Sequence, residues 1–122
     1  EIAPKSYGGS LAGIKLAEIY IKQKNYDQAE VIFQDILRSR EDELAARAQM
    51  MMGDLMLAKG DEEAAISEYL KVKYLYKGFA EWVAESLMKA AALYEKHQKP
   101  EQAKKLRDEV KENYPQYYRE GI

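Results

Sequence analysis

The sequence predicts an all-α fold, a stack of three antiparallel helical hairpins. Three observations predict it: a residue usage skewed toward helix formers, apolar side chains at helical spacing, and one block that occurs three times over. Alanine occurs sixteen times and leucine eleven, whereas valine occurs four times and threonine never, so the residues that suit pleated strands are scarce. The 122 residues suffice for one cooperative domain and are too few for two with separate cores.

Self-comparison aligns three segments: LAEIYIKQKNYDQAEVIFQDIL from Leu16, MGDLMLAKGDEEAAISEYLKV from Met52, and AAALYEKHQKPEQAKKLRDEV from Ala90. A small residue (Ala17, Gly53 or Ala91) is followed three positions on by Tyr20, Met56 or Tyr94, which places both on one helix face. Nine residues further comes a second small residue, Ala29, Ala65 or Ala103. Between them lie the breaks Lys24-Asn25, Lys59-Gly60-Asp61 and Lys99-Pro100. Each block is therefore a helix, a tight turn and a second helix, in registers 36 and then 38 residues apart.

Taken in order, the helices are expected at 10–24, 26–39, 42–59, 62–76, 79–97 and 100–114. In the second helices, Tyr26, Ala29, Phe33 and Ile36, and again Ala103, Leu106, Val110 and Tyr114, step by three and four and form apolar stripes. The small residues let the two helices of a hairpin approach closely. Asp61 is placed to cap the fourth helix, with Glu62 and Glu63 favourable toward its dipole, and Pro100 suits the first turn of the sixth. A hairpin alone cannot bury its apolar face, so the three must stack. Residues 1–9, with Gly8-Gly9, are expected to form a flexible leader, 10–118 the domain, and 119–122 a tail. Glu1-Ile2-Ala3-Pro4 is neither an initiator methionine nor a signal peptide, and is expected to continue from a longer chain.

These landmarks resemble the tetratricopeptide repeat. Leu16, Ala17, Tyr20, Ala29 and Phe33 carry the family pattern in the first unit, Gly53, Ala65 and Tyr69 in the second, and Tyr94, Ala103 and Pro115 in the third. The early tryptophan of the pattern is replaced by Gly13, Gln49 and Leu87. The resemblance spans residues 10 to 118, with repeats at about 10–43, 46–79 and 84–117. It implies a right-handed superhelix whose first helices line a concave groove that binds another polypeptide. The extra residues between units are similar to repeats of bacterial envelope proteins of the Tol-Pal coordinator and outer-membrane assembly lipoprotein type, which favours the periplasmic side of a bacterial envelope over the cytoplasm.

On this reading the groove is lined by Leu11, Ile14, Glu18, Ile21 and Lys22 from the first unit, Arg47, Met50, Asp54 and Leu57 from the second, and Glu85, Met88, Ala92 and Glu95 from the third. Within each helix these follow a spacing that shares one face. Apolar groups alternate with acids, which suits an amphipathic helix or an extended peptide bearing a few basic groups. All five methionines fall on first helices, where Met50 and Met88 are assigned to the groove and the others to the core. The carboxylate clamp that some members use to grip acidic tails is not matched: Ile14, Glu18, Met51, Glu85 and Lys89 stand at its positions, and only Lys89 could serve. Tyr69, Tyr74 and Tyr76, with Phe79 and Trp82, are expected to pack between the second and third hairpins. Tyr114, Tyr117 and Tyr118 are expected to cover the end of the last helix.

Other functions find little support. Nineteen basic and twenty-one acidic residues give a net charge of −2 with no block of one sign, and Glu18, Asp54 and Glu95 stand in the groove, so nucleic-acid binding is disfavoured. No apolar stretch approaches a membrane span. Cysteine is absent. His97, the one histidine, falls in a turn as a solvated polar residue; Glu41-Asp42-Glu43 and Asp61-Glu62-Glu63 open helices and lack calcium-loop spacing, so neither enzyme nor cofactor is expected. The carboxyl end carries the charge a stack end needs. Leu11, Ile14 and Ile21 leave the amino end more apolar, as self-association or further repeats would require.

Overall fold

A computed structural model describes residues 6–119. Six helices follow one another: α1 Tyr7–Lys22, α2 Tyr26–Ser39, α3 Glu43–Ala58, α4 Glu62–Leu75, α5 Ala80–Lys96 and α6 Pro100–Asn113, then a 3₁₀ turn at Pro115–Tyr117. The termini lie within a few residues of expectation except at the start. α1 begins at Tyr7 because the Ser6 hydroxyl accepts the Gly9 N–H at 3.0 Å and caps the helix. Gly8 and Gly9 thus belong to a helix rather than to a flexible leader; residues 1–5 of that leader and 120–122 of the tail lie outside the described residues. Asp61 caps α4 as read, accepting the Ala64 N–H at 3.0 Å. Pro100 occupies the first turn of α6.

The three hairpin turns share one geometry. Lys24, Gly60 and Gln98 stand at equivalent positions, and all three adopt left-handed backbone, with φ of 64°, 89° and 60°. In each, the next residue donates its N–H back to a carbonyl five positions earlier: Asn25 to Tyr20, Asp61 to Met56 and Lys99 to Tyr94, at 2.8 to 2.9 Å. Only the middle turn uses glycine.

Within each hairpin the paired small residues are buried at the crossing: Ala17 with Ala29, Gly53 with Ala65, Ala91 with Ala103. Stacking follows from the first helices. α1 packs against α3 and α3 against α5, while the backbones of α2, α4 and α6 do not approach one another among the described residues. The first helices therefore form a continuous inner layer, and the second helices splay outside it. α3 sits at the centre and buries ten residues from Leu44 to Leu55. Around it the core is completed by Ile14, Phe33, Ile36, Tyr69, Val72, Val83, Leu87 and Val110.

Two expectations about aromatic packing divide. Tyr69 is fully buried and Tyr76 and Trp82 join the core edge, but Tyr74 points into solvent at 71% exposure, its ring covered only by the Lys73 ammonium at 5.2 Å. Tyr114, Tyr117 and Tyr118 pack back against the core beside the end of α6.

Candidate functional site

The inner layer places the groove residues in rows, one from each first helix. The row three residues before the small positions is Ile14, Met50 and Met88, and here the reading from sequence is corrected: they are 0%, 6% and 1% exposed. Because α1, α3 and α5 lie side by side, this row is drawn into the shared core, and it floors the groove without lining it. Met51 and Met52 are buried as well, and Met56 is half-buried, so the methionines fill the interior.

The other rows remain accessible. Leu11, Arg47 and Glu85 form one, all half-buried. Glu18, Asp54 and Ala92 form the next, and Ile21, Leu57 and Glu95 the third, with Lys22 exposed at its edge. Leu57 is 38% exposed. Apolar and charged groups alternate, but most of the charge is already spoken for within the molecule. Asp54 accepts the Tyr69 hydroxyl at 2.5 Å and lies 3.4 Å from the Lys89 ammonium. Burial, reinforced by the hydrogen bond to Asp54, holds the Tyr69 hydroxyl well above its ordinary ionisation range. Glu85 pairs with Arg119 at 2.9 Å, so the chain beyond α6 returns to α5. Glu95 pairs with Arg107 at 2.9 Å, and the guanidinium holds its carboxyl below the usual range. Glu18 and Lys22 make no ion pair among the described residues.

At the edge of this face the amino-terminal ends of α1, α3 and α5 enclose a pocket of about 370 Å³ lined by Tyr7, Glu43, Arg47, Phe79, Trp82 and Tyr117. Arg47 lies over the Trp82 ring at 5.5 Å, and the Tyr7 hydroxyl donates to Glu43 at 2.7 Å. Sequence reading missed this pocket. Tyr7 falls within the expected leader, and Trp82 within the expected junction between hairpins. The signal was the position of Trp82, three residues before the groove residue Glu85 on the same helix face.

Elsewhere, His97 ends α5, where its ring nitrogen and the Lys96 ammonium both meet Glu62 at the start of α4. The Lys96 contact, then that of His97, holds the Glu62 carboxyl below the usual carboxylate pKa range. These contacts tie the third hairpin to the second. Among the described residues no group of three or more His, Asp or Glu could hold a metal ion, and no helix is long and apolar enough to cross a membrane.

Three stacked hairpins with small residues at each crossing agree with the comparison to known families. A model of the tetratricopeptide repeat matches residues 12–40 and 85–117, together half of the chain. The chain belongs to the tetratricopeptide repeat family. The two matches fall on the first and third hairpins. The middle one keeps the geometry while placing Met56 where the others have tyrosine. No curated protein and no solved structure matches the chain. Tetratricopeptide repeats are non-catalytic and generally mediate protein–protein interaction.

Proposed function

We propose that the domain is an interaction module that takes a peptide or an amphipathic helix of a partner protein along the inner layer of α1, α3 and α5. One observation carries this: Glu18, Asp54 and Ala92, with Ile21, Leu57 and Glu95 beside them, form a strip across three helices that mixes accessible apolar groups with charge. Since Asp54, Glu85 and Glu95 are already paired with Lys89, Arg119 and Arg107, the partner needs fewer basic groups than a count of acids suggests. One cation opposite Glu18, and apolar side chains on Ile21 and Leu57, fit the strip best. The aromatic pocket at Trp82 continues it and suits an anchoring side chain.

Peptides selected from a displayed random library against the immobilised domain provide the test. Titrated into isotopically labelled protein, they should shift the resonances of Glu18, Ile21, Asp54, Leu57 and Ala92. Leu57→Arg should weaken them about tenfold, some 1.4 kcal/mol. Shifts confined to α2, α4 and α6 would sink the proposal.

A further inference from the structure

Each stacked hairpin turns one face of its first helix toward the hairpin before it. On α3 that face carries Ala48, Met52 and Leu55, and on α5 Ser86, Ala90 and Leu93; none of the six is more than 8% exposed. α3 packs against α1 and α2 of the hairpin before it, and α5 against α3 and α4. At the repeat spacing, the same positions of α1 are Ala12, Leu16 and Ile19. Ala12 is exposed, and Leu16 and Ile19 are 43% and 49% exposed. Where the expected apolar residues at this end were Leu11, Ile14 and Ile21, the structure buries Ile14 and half-buries the other two, and it turns Leu16 and Ile19 outward. Beside them a shallow groove of about 400 Å³ runs between Leu16, Tyr20, Val31 and Ile32, with Asp27 and Gln28 at its rim.

Charge joins the apolar residues at the junction of the second and third hairpins, whereas at that of the first and second Met51 and Ala58 stand where α5 has Lys89 and Lys96. Lys89 of α5 reaches back to Asp54 of α3 at 3.4 Å, and Lys96 reaches back to Glu62 of α4. Their equivalents on α1 are Lys15 and Lys22, at the same spacing along the helix. Both are exposed and make no ion pair among the described residues. The end face thus holds the apolar stripe by which both later hairpins stack and, as α5 does, two cations, whose matching acids are not supplied by the described chain.

We propose that this face of α1 docks an antiparallel helical hairpin of a partner polypeptide. That hairpin lays an apolar stripe on Ala12, Leu16 and Ile19 and carries two carboxylates placed, as Asp54 and Glu62 are, to meet Lys15 and Lys22. A second copy of this chain does not fit. At its far end Ala92 and Pro100 stand where Asp54 and Glu62 would be needed, and Arg107 stands where Phe33 and Tyr69 lie in the other units. Two copies meeting through their α1 faces would bring four lysines into one interface. The face meets the strip at Glu18 and Leu57 only at Lys22, so its apolar stripe, Ala12, Leu16 and Ile19, can be tested apart from that strip.

Residues 43–79 hold Asp54, Glu62 and the loop that already joins one hairpin to the next. Duplicating them ahead of Ser6 lets the added copy enter α1 as the native one enters α5. The fused chain should melt more than about 5 °C above the unfused one. Amide exchange at Leu16 and Ile19 should slow by about tenfold or more. Lys15→Glu with Lys22→Glu should remove most of that gain, while leaving the unfused chain within about 2 °C of its parent. No rise in the fused chain, or a rise that survives the double substitution, overturns the proposal. Sedimentation of the unfused chain as a dimer that Ile19→Lys dissociates overturns it too, because the occupant is then a second copy.

Discussion

Gly53 on α3 lies directly beneath the ring of Tyr69 on α4: a Cβ at Gly53 would come within 2.9 Å of Tyr69 Cγ, and nearer still to Cδ1 and Cε1. The ring cannot swing aside. It is 1% exposed, and its hydroxyl is held by Asp54 at 2.5 Å. Gly53→Ala should therefore destabilise the domain by about 1–3 kcal/mol, although alanine is the better helix former. In a Tyr69→Ala background the same change should be neutral or stabilising. Denaturant titrations of the four proteins in this cycle measure the coupling, and additive effects would show that the ring is not what excludes the methyl group.

The three hairpin turns offer a second comparison. Lys24 and Gln98 hold left-handed backbone that an L side chain adopts at a cost of about 1–2 kcal/mol, and Gly60 holds the same geometry without it. Lys24→Gly and Gln98→Gly should each stabilise by about 0.5 kcal/mol, the strain relieved being partly offset by the greater freedom of glycine in the unfolded chain. Gly60→Ala should destabilise by about 1 kcal/mol. Thermal melts of the three variants check the signs. A loss of stability in both glycine variants would mean that the side chains at 24 and 98 do more than tolerate the turn.

These turns also mark where sequence reading stops. Hairpin number, the helix bounds beyond the start of α1, the small residues at each crossing, the cap at Asp61 and the first-turn place of Pro100 were legible, because period and helix-start chemistry are local. That Lys24 and Gln98 take the conformation of Gly60 was not, since no side chain there announces it. Periodicity likewise put Ile14, Met50 and Met88 on the correct side of their helices. It could not tell the floor of a groove from its lining, which depends on how near the neighbouring helix comes. Tyr7 was misplaced for a related reason. Two glycines read locally as a leader, but the Ser6 cap, the bond to Glu43 and the Arg40 guanidinium at 5.5 Å from the Tyr7 ring hold that turn in place. The apolar amino end was legible as a property, whereas its residues, Leu16 and Ile19, were settled by which face α2 and α3 leave uncovered.

The hydrogen bond from Tyr69 to Asp54 also predicts how stability responds to alkali. Burial first, and then Asp54, raises the pKa of the folded hydroxyl above its ordinary value, so the folded chain keeps this proton where the unfolded chain, with a tyrosine pKa of about 10, releases it. The unfolded state then binds fewer protons, and stability must fall as pH rises. The contribution is whole below about pH 10 and is lost progressively above it. Tyr69→Phe should cost about 1–2 kcal/mol at neutral pH, from the lost bond and the unpaired Asp54 oxygen. Above pH 10 the wild type should lose stability more steeply than the variant, by up to about 1.4 kcal/mol per pH unit, so that the gap closes. Tyr7 and Tyr76, whose hydroxyls are raised too, titrate in both proteins and cancel in the difference. Urea titrations of the pair between pH 8 and 11, well spaced across the tyrosine range, read this directly. Curves that stay parallel throughout would mean that the Tyr69 hydroxyl ionises no later in the folded chain than in the unfolded one.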